Sequence, residues 1–112
     1  MSRQGPDPSE IRGFELDDRN LVHMALHGLD GNLVYEVFSD GEVVFLLNPP
    51  TDTRNGSHLM VGRDVAGRHW TVVLVVADAT LAILRPITGW ASTRKELEQW
   101  REETSRQQKS DN

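Results

Sequence analysis

Four histidines and three of the arginines have the types and spacing that could do chemistry in this 112-residue chain. Cleaving RNA without a metal needs a base for the 2′-hydroxyl, an acid for the leaving oxygen, and cations for the charge that builds up on phosphorus. His23, His27, His58 and His69 titrate in the range where acid–base work is done near neutral pH. Arg63, Arg68 and Arg85 can clamp phosphate in bidentate fashion. Arg63 and Arg68 bracket the turn "DVAG", which would bring their guanidinium groups to one end of a sheet, and Arg85 is followed by the stiff Pro86. The competing reading pairs these arginines with Asp64, Asp78 or Glu96 on a solvated surface. His23 and His27 share a helix face at metal-ligand spacing, but "HMALH" lacks the glutamate of H-E-x-x-H, and neither a cysteine nor a third ligand accompanies them. No metal and no cofactor is therefore assigned. Trp70 and Trp90 have the π-faces that stack on bases, but a tryptophan between a strand and a helix also serves as an anchor for a protein, and Trp90 is assigned to partner binding.

The elements that must position these residues follow from periodicity and punctuation. "FELDDRNLVHMALHG" predicts a short helix, capped by Asp17 or Asp18 and ended by Gly28. "LDGNLVYEVFSDG" predicts a second helix, with Asp30 as cap and Leu29 and Val34 as a hydrophobic staple. Asp40-Gly41 turns the chain into "EVVFLL", a strand stopped by Asn48-Pro49-Pro50. "SHLMVGR" is a second strand, and "RHWTVVLVVA", apolar at nearly every position, is a central one. "TLAILRPIT" alternates as a fourth strand, at an edge or bulged where Pro86 removes a donor. Thr93 and Glu96 form a capping box that opens a helix through about Arg106, with Leu97 and Trp100 facing inward. The predicted fold class is α+β: two short N-terminal helices, an antiparallel sheet of three to four strands, and a C-terminal helix. Residues 1–13 and 107–112 read as flexible tails around one domain over 14–106.

Composition narrows the function classes. A formal net charge of −5 argues against strong non-specific binding to RNA or DNA. Ten of the twelve basic residues are arginine, which leaves room for a local phosphate-binding patch. The absence of cysteine fits a reducing cytoplasm. No apolar run has the length of a membrane span, and the polar start is unlike a signal peptide, so no membrane association is expected.

The order of these elements, together with particular residues, resembles the BrnT family of type II toxins over about residues 14–101. The carriers are "FELD" with Asn20 and His23, "HG" at His27-Gly28, "EVF" at Glu36 to Phe38, "VGRDVAGRHWTVV" from Val61 to Val73, and "RPIT" from Arg85 to Thr88, followed by Glu96 and Trp100. The resemblance implies a RelE-like ribonuclease toxin that cuts RNA without metal and inhibits translation. It also implies a cognate antitoxin, typically a ribbon-helix-helix DNA-binding protein covering the active face; the sequence leaves room for a homodimer within the complex without fixing the oligomeric state. On that basis the catalytic set is His23, Arg63, Arg68 and Arg85; His58 and His69, both on strands, are assigned to RNA contact, the alternative being that they are simply half-buried. The family carries a further arginine shortly after its "R-x-I-x" strand, where this chain reads Thr88-Gly89-Trp90. The alternative expectation is accordingly a degenerate, non-catalytic BrnT-like domain that binds a protein.

Overall fold

A computed structural model describes residues 11–26, 28–47, 58–78 and 82–110, apart from the side chains of Asn20, His23, Leu47 and residues 107–110. Its elements in chain order are β1 (Gly13–Phe14), α1 (Asp18–Ala25), α2 (Gly31–Phe38), β2 (Val44–Leu47), β3 (His58–Arg63), β4 (His69–Asp78), β5 (Ile83–Ala91) and α3 (Arg94–Ser110).

The sheet corrects the expected fold class. It has five strands in the order β1-β5-β4-β3-β2, and it is mixed, because β1 runs parallel to β5 with Gly13 opposite Ile83 and Phe14 opposite Leu84. A RelE-like arrangement around three or four antiparallel strands is therefore overturned. Helix α1 starts at Asp18, in line with a cap at Asp17 or Asp18, while Phe14 ahead of it joins β1, where Arg12 and Glu15 donate their amides to the carbonyls of Ala82 and Leu84. The last strand also runs further than "TLAILRPIT" suggests. Gly89 and Trp90 pair with Val72 and Thr71, so Trp90 belongs to β5 and not to a loop. Ile87 is left unpaired beside Pro86, where the register between β4 and β5 slips. With β1 on its far side, β5 is an interior strand.

Local chemistry explains the connections. Gly28, at φ +84, closes α1: its amide reaches the Ala25 carbonyl and the Leu29 amide reaches Met24, a left-handed helix end that glycine adopts freely. The Asp30 carboxylate caps α2 by accepting the Leu33 amide at 2.8 Å. Asp64 accepts the amides of Ala66 and Arg68 at 2.9 Å each and so folds the β3–β4 turn.

Strand alternation divides the residues between two faces. One face packs Phe45, Met60, Trp70, Val72, Leu74 and Leu84 against Met24 of α1, Val34 and Val37 of α2, and Leu29 between them. The other carries a smaller cluster in which Trp100 of α3 meets Val44 and Val61. Each buried aliphatic side chain contributes about 1.5–3 kcal/mol, so the α1–α2 face supplies most of the apolar stabilisation.

Candidate functional site

Arg63 and His69 stand directly opposite each other at one end of β3 and β4, on the α3 face. The Arg63 guanidinium grips Asp40 twice, Nε donating to Oδ2 at 3.0 Å and Nη2 to Oδ1 at 2.9 Å, and Nη2 also donates to Glu42 Oε1 at 3.1 Å. The hydrogen bond to Asp40 raises the already high pKa of Arg63. Burial works to raise the Asp40 carboxyl, but hydrogen bonds from the Arg63 side chain and from the Glu42 and Arg63 amides outweigh it and hold Asp40 below the usual carboxylate range. The guanidinium also lies 5.2 Å from the centroid of the Trp100 ring. His69 meets the same ring edge-to-face at 4.5 Å. Burial, followed by the Arg63 charge, pushes the His69 imidazole down, so it is neutral at pH 7.

The other expected site residues are not gathered here. Arg68 begins just before β4, yet its guanidinium lies 5.5 Å from the Trp70 ring, on the α1–α2 face. The two arginines of the "RDVAGR" turn thus diverge to opposite faces. Arg85 pairs with Val75, six residues along β4 from His69, or about 20 Å at strand rise. There it donates from Nη1 to Glu15 Oε1 at 2.8 Å and to Asp17 Oδ2 at 2.7 Å, two carboxylates that follow β1. The hydrogen bond it donates to Asp17, then that to Glu15, raises its pKa. His58 lies at the far end of β3, opposite Leu74, and burial lowers its pKa. His23 belongs to α1, but its side chain, like His27 as a whole, lies outside the described residues. Among the described residues no three His, Asp or Glu gather as a metal site.

Trp90, half-buried, turns its indole N–H to Glu96, 3.0 Å from Oε1 and 3.2 Å from Oε2. Glu96 Oε1 also accepts the Thr93 amide at 2.8 Å and the Thr71 hydroxyl at 2.9 Å. One carboxylate thus joins the start of α3 to β4 and β5. The capping box is visible in "TRKE"; its links to Trp90 and Thr71 carry no local sequence signal. Sequence reasoning also missed Asp40, which it treated only as a turn residue. An open groove of about 770 Å³ runs beside Asp40 and Arg63, between α2 (Tyr35, Glu36) and the β3–β4 turn (Asp64, Val65).

No family model and no curated protein matches the sequence. Among the described residues no helix is long and apolar enough to cross a membrane.

Proposed function

We propose that this chain is a BrnT-like member of a type II toxin–antitoxin pair whose retained activity is binding a protein partner, a ribbon-helix-helix antitoxin. The observation that carries this reading is the dispersal of its arginines. Arg63 and Arg85 are each held by two carboxylates and lie about 20 Å apart along the sheet, while Arg68 is on the opposite face. Stabilising a phosphorane requires cations aimed at one point and not already neutralised. The net charge of −5 supports the same reading, since RNA affinity depends on phosphate neutralisation.

A second reading, a metal-independent endoribonuclease, is favoured by one observation: a neutral imidazole, His69, faces Arg63 across β3 and β4. In that mechanism His69 takes the 2′-hydroxyl proton as the 2′-oxygen attacks phosphorus, Arg63 exchanges a carboxylate for phosphate, and the 5′-oxygen leaves as the P–O5′ bond breaks and takes its proton from water. Expression of the chain in a bacterial host, with growth and total RNA followed, separates the two. The binding reading expects intact RNA and normal growth for the wild type and for Arg63→Ala, together with co-purification of a ribbon-helix-helix protein encoded beside it. RNA cleavage that survives EDTA and disappears in both Arg63→Ala and His69→Gln would replace it with the nuclease reading.

A further inference from the structure

Helix α3 is anchored at its start by the Glu96 carboxylate, which accepts from Thr71 and Trp90, and beyond that its apolar hold on the sheet is small. Trp100 is its buried apolar residue, Leu97 is half-buried, and the cluster that Trp100 joins contains Val44, Val61 and the half-buried Leu46. The Trp100 indole N–H donates to the Glu42 carbonyl at 2.9 Å. His69 closes on the same ring, and its Nε2 is buried with no hydrogen-bond partner. We propose that His69 is an acid-sensitive latch for α3: the helix is docked while the imidazole is neutral and loosens when the imidazole takes a proton.

The groups around the imidazole leave that proton poorly accommodated. Arg63 faces it from β3 and Arg101 from α3, while Asp40, before β2, and Asp64, in the β3–β4 turn, supply the opposing negative charge. Both carboxylates are already engaged. Asp40 accepts from the Arg63 side chain and from the Arg63 and Glu42 amides. Asp64 accepts the Trp70 indole and the Ala66 and Arg68 amides. A proton on Nε2 would create a buried charged N–H without an acceptor, against a ring that already carries the Arg63 cation. Releasing Trp100 admits water to that nitrogen. Because α3 has so small an apolar contact, release of the helix is the accessible response.

The sign follows from linkage. The docked state favours the neutral ring, so docking is fully supported above the ordinary histidine value of 6.5 and weakens as pH falls below it, by up to about tenfold in the docking equilibrium per pH unit until the docked-state value is reached. The test is NMR on the full chain between about pH 7.5 and about pH 5, the window in which histidine titrates. It follows the His69 ring, the Trp100 indole N–H and the exchange protection of the α3 amides, corrected for intrinsic rates. The expected result is one shared midpoint below 6.5, with α3 protection lost on the acid side. His69→Gln should hold α3 protection constant across the window, and His58→Gln, on the other face, should respond like the wild type. A His69 ring that titrates while the Trp100 signal and α3 protection stay unchanged overturns the latch, as does a pH response that persists in His69→Gln. Should His69→Gln fail to fold, the agreement or disagreement of the two wild-type midpoints decides the matter.

Discussion

Asp40 ties together three parts of the chain with one carboxylate. It follows α2, its Oδ1 accepts the Glu42 amide just before β2, and its Oδ2 accepts the Arg63 amide at the end of β3. Its side chain is only 6% exposed. Asp40→Ala should therefore cost about 2–3 kcal/mol, below the penalty for breaking a fully buried ion pair because Arg63 keeps some contact with water. The shift of the urea midpoint at neutral pH measures it. Gly89 makes a different point about reading single residues. It stands where the resemblance to BrnT toxins would imply an arginine, yet the structure gives it a packing role. A Cβ there would lie 2.7 Å from the Thr71 carbonyl oxygen and 3.1 Å from Leu29. Gly89→Ala should destabilise the fold by about 1–3 kcal/mol through overpacking, read as a lower thermal midpoint. Neither role was legible, because Asp40 and Arg63 are 23 positions apart and Gly89 meets a neighbouring strand; periodicity and capping rules reach only a few residues.

At the scale of elements, legibility followed the length of the repeating signal. The long apolar run of β4 and the capping box of α3 were open to reading, since each repeats or pairs within its own segment. β1 was not, because two residues carry no period, and Phe14 fits an apolar position of a helix as well as one of a strand. The extension of β5 through Trp90 was hidden by Gly89, which punctuates a sequence like a turn while here permitting close strand approach. Helix α3 meets the sheet at its start and at Trp100. Its attachment rests mainly on one indole and on the Glu96 hub, so Trp100→Ala should cost about 3 kcal/mol and release the helix, leaving the α1–α2 face intact. Amide exchange should show α3 deprotected while the central residues of β4 remain slow.

For the whole molecule, acid should act in two stages. The folded values of His58 and His69 are lowered from 6.5, so the neutral forms stabilise the fold and stability declines first as pH falls below 6.5. Asp40 and Asp64 are lowered from 3.8, so their contribution is intact above that value and is lost as pH falls through their folded-state values. Urea midpoints measured across the acid range should therefore fall, level off, and fall again, and the double variant His58→Gln/His69→Gln should lack the first decline. The parallel pair between β1 and β5 bears on edge-to-edge association. Two residues from near the start of the chain cover the Ile83–Leu84 end of the outer edge of a strand formed some seventy positions later. Without them the Ile83–Leu84 end of that edge opens to another chain, with Arg85 as the only charge in β5 to discourage it. The dipeptide Gly13-Phe14 is then a guard against edge-to-edge association. A chain beginning at Leu16 should fold around the same α1–α2 core yet self-associate with rising concentration, as light scattering would reveal.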